Sequence, residues 1–178
     1  MRTDIVFTLT GPDRVGIVEE VTSVMLELGG NVEAGRMARL GGEFVVLMLV
    51  AVPAARVGDV EPAFERLANE GYRIAVHTTD RAAAEAHRGW FRYQIEVHGA
   101  DHEGIINEIA RGLSQRGINI ESADTGTTRA PVSGTPLFSM NALVVVPPDL
   151  NESEWTADLR EAGYQANVGI TVNPVDVE

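Results

Sequence analysis

Apolar and polar positions alternate at the start of the chain, and apolar positions then recur at helical spacing. The alternating apolar residues are Ile5, Phe7 and Leu9, which predicts a strand. The helical spacing involves Ile17, Val21, Met25 and Leu28, which predicts a helix over about 14–28, ended by Gly29-Gly30. Strands at 31–40 and 44–52, a helix after Pro53 and a strand at 72–78 complete a predicted β-α-β-β-α-β order.

This order then repeats. The segment from Gly11 to Ile17 recurs from Gly99 to Ile105 at an offset of 88 residues, and the register holds without a gap as far as Glu33 and Glu121. A self-match of this length indicates that the chain contains two copies of one structural unit. We therefore predict an α+β chain of two domains, 1–79 and 90–178, joined by a polar, alanine-rich linker at 80–89. Each domain is expected to be a four-stranded antiparallel sheet with helices on one face.

The second repeat differs from the first in one hairpin. Phe44 corresponds to Phe138, so six extra residues fall within Thr128 to Pro136. They form either a plain surface loop or a functional segment, which is a flap over a pocket or a contact for the partner. In this second repeat, Asn151 with Glu154 resembles a capping box, Gly163 is expected to end the last helix, and the last strand is expected at 164–172.

The strand at 44–52 is apolar at every position. In a sheet with one solvent-exposed face, apolar and polar residues should alternate along each strand. Its second face is therefore expected to be covered, by the other repeat or by another chain. We predict a homodimer.

Charge and composition exclude several classes of function. The net charge is −12 with no basic stretch, which argues against direct binding to nucleic acid and suits either solubility or a basic protein partner. There are no cysteines, and all fourteen basic residues are arginine, which excludes thiolate and Schiff-base chemistry. The start of the chain does not resemble a signal peptide, and the longest apolar run is too short to span a membrane. A cytoplasmic protein without membrane contact is expected.

The duplicated glycine-rich turn is the candidate site, because it opens a helix whose free amides attract carboxylates or phosphates. Asp13 and Asp101 either accept from a ligand ammonium or only cap the helices. Gly16 and Gly104 either admit a ligand or let helix and strand pack closely. Asn31 and Asn119 open the second strand of each repeat, where they either bind a ligand or shape the turn.

Other conspicuous residues have simpler explanations. His102 stands where the first repeat has Arg14, and an exposed histidine at a helix start is expected. His98 and His102 lie near acidic residues, but they span a strand end and a turn, so no metal site is predicted. Trp90 and Trp155 are expected to be packing residues.

The pattern strand, G-x-D-x-x-G-I, helix, G-x-N-[VI], strand, hairpin, helix, strand resembles the ACT domain, and two copies cover the chain. ACT domains are amino-acid-sensing modules of ferredoxin-like fold. The family commonly has proline where Val15 stands, and the second copy departs further, with Ala100, His102 and Glu103. The long hairpin and Thr135-Pro136-Leu137-Phe138 resemble the tandem-ACT proteins called glycine cleavage system transcriptional repressors.

The resemblance implies a ligand site between the turn of one domain and the second strand of another. By this resemblance, two sets of residues are expected to bind a ligand. The set in the first repeat is Asp13, Arg14, Val15, Gly16 and Asn31, and the set in the second repeat is Asp101, His102, Glu103, Gly104 and Asn119. It implies a non-catalytic regulator, without cofactor, that senses a small amino acid such as glycine or serine. Such a regulator acts by contact with a protein partner, for example a DNA-binding regulator of glycine cleavage genes.

Other functions stay open. Formyltetrahydrofolate deformylases begin with a similar segment, but a catalytic domain follows there and no nucleophile elbow or phosphate loop occurs here. A regulatory subunit of a metabolic enzyme is a related alternative. An assembly module with a dead ligand site is plausible for the second repeat. RNA binding is disfavoured, since exposed aromatic residues and basic surface are not evident.

Overall fold

The computed structural model describes residues 1–80 and 85–175. The chain divides into two compact units, Met1–Glu85 and Ala86–Glu178, which we call the N-terminal and C-terminal units. Part of the predicted linker, residues 81–84, lies outside the described residues, and residues 85–89 form turns. Each unit has the predicted order β-α-β-β-α-β.

Within residues 1–80, the N-terminal unit is built from four strands and three short helices. Its strands are β1 (Arg2–Pro12), β2 (Asn31–Leu40), β3 (Glu43–Pro53) and β4 (Arg73–Thr78). Its helices are α1 (Ile17–Glu27), α2 (Val57–Ala63) and α3 (Glu65–Asn69), with a 3-10 turn at Ala54–Arg56 before α2. The second helical segment is therefore broken between α2 and α3, just after Pro62, because proline cannot donate the backbone hydrogen bond of a helix interior.

The C-terminal unit repeats this arrangement with a longer, unbroken second helix. Its strands are β5 (Phe91–Ala100), β6 (Asn119–Arg129), β7 (Pro136–Val146) and β8 (Val168–Pro174). Its helices are α4 (Ile105–Ser114) and α5 (Glu152–Gln165). In the described residues the two sheets have the strand orders β2-β3-β1-β4 and β6-β7-β5-β8, and all neighbours are antiparallel. The predicted α+β, ferredoxin-like fold of two repeats is confirmed.

Each unit has its own core between the sheet and the helices. In the N-terminal unit the apolar face of α1 packs over the inward side of β1, and Phe7 meets Phe64 with ring centroids 4.7 Å apart. In the C-terminal unit Trp155 packs edge-on against Tyr93 at 5.2 Å. Each such buried apolar side chain stabilises the fold by about 1.5–3 kcal/mol. The alternation at Ile5, Phe7 and Leu9 correctly indicated the buried face of β1.

Two helix ends differ from the sequence prediction. Helix α1 begins at Ile17 rather than near Arg14, because the turn before it is not helical and Gly16 has φ +89°. Gly163 does not end α5; the helix continues to Gln165 and Asn167 takes the left-handed conformation after it. A Cβ on Gly163 would lie 2.6 Å from Cγ1 of Ile170, so this glycine allows α5 to approach β8. The last strand accordingly begins at Val168.

The outward face of β3 is apolar and partly open. Leu47 on this face is 44 % exposed in the chain, whereas its neighbours Val46 and Met48 are buried in the core. The predicted cover over this face, by another repeat or another chain, stays a prediction.

The longer hairpin of the C-terminal unit extends from the ends of β6 and β7. Ala130 and Gly134 close it through backbone hydrogen bonds of 2.9 Å, and Val132 at its tip is fully exposed. It is a surface loop; a flap role for it remains untested. Within the described residues, no helix has the length and apolar character needed to cross a membrane.

Candidate functional site

A cleft of about 740 Å³ opens in the C-terminal unit beside the second copy of the glycine-rich turn. Four elements surround it: the turn between β5 and α4, the first half of α4, the distal part of β6 and the start of β7. The turn contributes Asp101, His102 and Gly104, which the sequence predicted as site residues. Phe138 and Ile105 form apolar wall, and both are buried.

The turn presents the start of α4 to this cleft. Gly104 is the N-cap residue, with φ +95°, a conformation that L side chains rarely adopt. A Cβ on Gly104 or Gly16 would meet nothing within 4 Å, so these glycines are required by backbone conformation and not by close packing. In the described part of the chain, no side chain caps the first turn of α4, and its N–H groups therefore remain available to an anion.

The aspartates of the two turns do not cap the helices. Asp101 is held by its backbone N–H, which donates to the carbonyl of Pro136 at 3.0 Å, and its carboxylate accepts from the Thr127 hydroxyl at 3.3 Å. Asp13 is held in the same way by the carbonyl of Gly42 at 3.2 Å. The capping interpretation is wrong because Gly16 and Gly104, three residues further on, are the N-caps.

The carboxylate of Asp13 has a different partner from that of Asp101. Arg39 lies 3.2 Å from the Asp13 carboxylate, and the residue equivalent to Arg39 in the repeat is Thr127. An arginine therefore neutralises the N-terminal aspartate, whereas a short neutral hydroxyl contacts the C-terminal one. Only the second carboxylate keeps its net charge for a ligand.

His102 is exposed, but its ring also contacts two backbone carbonyls and so anchors the turn. Its Nε2 lies 2.6 Å from the carbonyl oxygen of Ala166 and its Nδ1 lies 3.0 Å from that of Glu103. Both carbonyls accept, so the doubly protonated ring satisfies both contacts. The hydrogen bond to Ala166, and then the one to Glu103, raise the pKa of His102 above its ordinary value. The ring is exposed, as predicted, but it ties the turn to the end of α5.

Arg14 performs the same tethering in the N-terminal unit. The sheet registers pair Phe7 with Val76 and Ile95 with Val172, so Glu70 occupies the place of Ala166. Arg14 lies 3.4 Å from the Glu70 carboxylate and 2.6 Å from that of Glu20. Arg66 contacts both glutamates and closes a ring of four charges.

This ring has electrostatic consequences for its members. The hydrogen bond from Arg14 is the main cause that lowers the pKa of Glu20, and the same bond raises the pKa of Arg14. The guanidinium of Arg14 also lies over the Tyr72 ring, 5.7 Å from its centroid. Arg14 is thus engaged within its own unit.

The remaining predicted residues do not join the turn within their own unit. Asn31 and Asn119 are exposed at the first positions of β2 and β6, opposite Ala51 and Val145. From that end of the sheet to the turn is about 26 Å along the strands. Val15 and Glu103 are exposed at the tips of the two turns. An asparagine can therefore reach a turn only from a different domain.

Sequence reasoning missed three polar residues of the cleft, Asn107, Thr125 and Thr127. A bulge in β6 explains why the sequence did not indicate the two threonines. The register of β6 shifts between Ile120 and Ser122, so the positions that face the helices change after the bulge. The same shift occurs in β2 between Val32 and Ala34. Simple alternation from Ile120 would have placed Thr125 on the outward face.

The tryptophans and the candidate metal ligands have structural surroundings. Trp155 is buried, and its indole N–H is without a hydrogen-bond partner in the described residues. The Trp90 ring lies against the His87 ring, with centroids 4.4 Å apart and the planes tilted by 56°. Across residues 1–80 and 85–175, no group of three or more histidine and acidic side chains is placed to hold a metal ion.

Comparison with known families agrees with this fold. Residues 3–76 match one model of the ACT domain, and residues 93–149 match a second. The chain belongs to the ACT-domain family and carries two ACT domains in tandem.

Two solved structures resemble the chain over its whole length. An unknown protein from Galdieria sulphuraria is 30 % identical, with a TM-score of 0.87 over 99 % of this chain and 100 % of that chain. A protein named "putative glycine cleavage system transcriptional repressor" is 21 % identical, with a TM-score of 0.69 over 99 % of both chains, which shows a shared fold. No curated protein matches the sequence.

Proposed function

We propose that this chain is a non-catalytic, cytoplasmic regulatory protein that binds a small amino acid, glycine or serine, in the cleft of its C-terminal unit. The observation that carries the proposal is the placement of one carboxylate and one uncapped helix start on the same cleft. The first-turn N–H groups of α4 receive the ligand carboxylate, and Asp101 receives the ammonium. Membership of the ACT-domain family supports regulatory amino acid binding.

The differences between the repeats favour one site per chain. The residues equivalent to Asn107, Thr125 and Thr127 are Glu19, Met37 and Arg39, which are larger or charged. Arg39 already neutralises Asp13. The N-terminal turn is then a structural element, which reverses the expectation that the second repeat is the one without a ligand.

A second copy of the chain completes the proposed site. In the described residues β6 is an edge strand, and Asn119 and Thr127 lie near its two ends. Antiparallel pairing of β6 with its counterpart, centred near Ala123, carries Asn119 of the partner subunit to Thr127. The amide of that asparagine then faces the ligand ammonium, as the ACT resemblance implies.

The regulatory output is proposed to be contact with a protein partner. The net charge of −12 disfavours direct contact with an operator, so a DNA-binding partner would carry that role. The shared fold with the structure named for glycine cleavage repression supports glycine cleavage genes as the target. The amino acid can change partner binding only if it has different affinities for the partner-binding state and the other state of the protein.

Calorimetry of the whole chain against glycine, serine and the other amino acids tests the proposal. Glycine has few atoms, so its dissociation constant is expected to be no tighter than about 3 µM. Asp101→Asn should weaken binding about tenfold or more, because it removes the charge that faces the ammonium. Thr127→Arg, which copies Arg39, should abolish binding.

The matched control is Asp13→Asn, which makes the same change in the other repeat and should leave the affinity unaltered. Equal losses in Asp13→Asn and Asp101→Asn would refute the one-site proposal. A folded protein that binds no amino acid would leave an assembly module as the function.

A further inference from the structure

A second groove, of about 700 Å³, lies in the N-terminal unit between the broken second helix and the edge of the sheet. Its floor is apolar, with Val57, Pro62 and Val76 contributing to the lining. It lies on the opposite side of the unit from β2, next to β4. The ACT comparison assigns no role to this surface.

One wall of the groove is strand β4, which carries backbone groups directed at the open edge. Among the described residues β4 pairs with β1 and with no other strand. Just beyond β4, the backbone N–H of Thr79 donates to the carbonyl of Asp4 at 3.0 Å. In an antiparallel pair the bonded positions alternate, so the backbone groups of Val76 and Thr78 point away from β1. Both residues line the groove, where these groups are a template for an added strand.

The opposite wall carries uncompensated negative charge. Glu61 and Glu65 line the groove, both are exposed, and neither has an ion-pair partner in the part of the chain that the structure describes. The nearby Asp59, in contrast, is paired with Arg56 at 2.6 Å. The groove thus combines an apolar floor, a free strand edge and an acidic rim.

The C-terminal unit lacks one donor at the same edge. The registers pair Ile5 with Thr78 and Tyr93 with Pro174, so a proline occupies the place of Thr78 in the repeat. Proline has no N–H to offer to an added strand. The template is therefore more complete in the N-terminal unit, by the one N–H of Thr78.

We propose that this groove binds an extended, basic segment of a partner protein, which adds to β4 as a further strand and places arginine or lysine side chains against Glu61 and Glu65. The complementary charge selects a basic segment, in agreement with the acidic character of the whole chain. Apolar residues at alternate positions of the segment fill the floor. This inference does not depend on the amino-acid site, because no residue of the cleft takes part.

Fluorescence anisotropy of the full chain with a labelled peptide of alternating arginine and valine tests the inference. An equally long peptide of alternating glutamate and valine is the control probe. We expect saturable binding of the basic peptide and none of the acidic one. The double variant Glu61→Gln/Glu65→Gln should weaken binding about tenfold at low salt. A matched double variant at exposed positions elsewhere in the unit, Glu27→Gln/Glu43→Gln, should leave binding unaltered.

A backbone variant separates strand addition from simple charge attraction. Thr78→Pro removes one N–H from the edge without changing charge, and Pro174 shows that the fold accepts proline at this position. It should weaken the basic peptide about tenfold with an unchanged thermal unfolding midpoint. Absence of saturable binding, equal binding of the acidic peptide, or an equal loss in the Glu27/Glu43 control would each overturn the inference.

Discussion

Two glycines inside helices of the C-terminal unit should respond to the same substitution with opposite sign. Gly112 lies in α4 and Gly163 in α5. From helix propensity alone, alanine at either position stabilises by about 1 kcal/mol, because glycine loses more backbone freedom on folding. The surroundings of the two Cβ positions differ, and they decide the outcome.

At Gly112 the added methyl group fits. Its nearest neighbour would be Cδ1 of Leu159 at 3.7 Å, an ordinary van der Waals distance. We expect Gly112→Ala to stabilise the C-terminal unit by about 0.5–1 kcal/mol.

At Gly163 the methyl group does not fit. It would lie 2.6 Å from Cγ1 and 2.7 Å from Cδ1 of Ile170, and 3.1 Å from the backbone oxygen of Val168, which belongs to the sheet. Forcing a methyl group into such a contact costs about 1–3 kcal/mol. After the propensity gain is subtracted, Gly163→Ala should destabilise the unit by up to about 2 kcal/mol.

Urea unfolding followed by tryptophan fluorescence measures both effects. Trp90 and Trp155, the two tryptophans of the chain, both lie in the C-terminal unit, so this signal reports the unit that carries the substitutions. Stabilisation by Gly163→Ala comparable to that by Gly112→Ala would refute the argument that close packing, and not a helix end, explains this glycine.

Two predictions concern pH. Glu20→Gln should destabilise the N-terminal unit by about 1 kcal/mol at neutral pH, because Glu20 accepts from Arg14 and Arg66. Since these contacts lower the pKa of Glu20, the contribution exists above the unfolded pKa of this carboxyl and disappears as pH falls through the folded pKa. The difference between wild type and variant in thermal unfolding should therefore vanish in strong acid, and a difference that persists there would contradict the assignment. For His102, whose pKa is raised by the hydrogen bonds to Ala166 and Glu103, the contribution exists below the unfolded pKa and is lost as pH rises through the folded one. His102→Gln should flatten the fall in unfolding temperature of the C-terminal unit as pH rises through the range in which His102 loses its proton, and an unchanged slope would count against the tether.

The sequence was sufficient for the architecture because the repeat and the hydrophobic periods agree. Alternation at Ile5, Phe7 and Leu9, and helical spacing at Ile17, Val21 and Met25, both correspond to buried faces in the structure. The N-cap at Asn151 was also correct: its side chain accepts from the Ser153 N–H at 3.0 Å. These features are local, so local sequence specifies them.

The site was less accessible to sequence reasoning, because its geometry depends on contacts between distant segments. The hydrogen bond between His102 and the Ala166 carbonyl joins residues 64 positions apart, and no sequence motif predicts it. The pairing of Arg39 with Asp13 likewise depends on how β2 returns beside the turn. Gly163 misled the prediction because a glycine that permits packing and a glycine that ends a helix look the same in sequence.

The bulge shared by β2 and β6 also bears on the origin of the chain. One extra residue occurs at Glu33 and again at Glu121, at equivalent positions of the two repeats. A single ancestral domain that already possessed the extra residue, and was then duplicated and fused, accounts for both with one event. The differences between Arg39 and Thr127 and between Thr78 and Pro174 then arose after the fusion. On the proposed functions, the two halves then specialised on a common inherited scaffold, one for a ligand cleft and the other for an open strand edge.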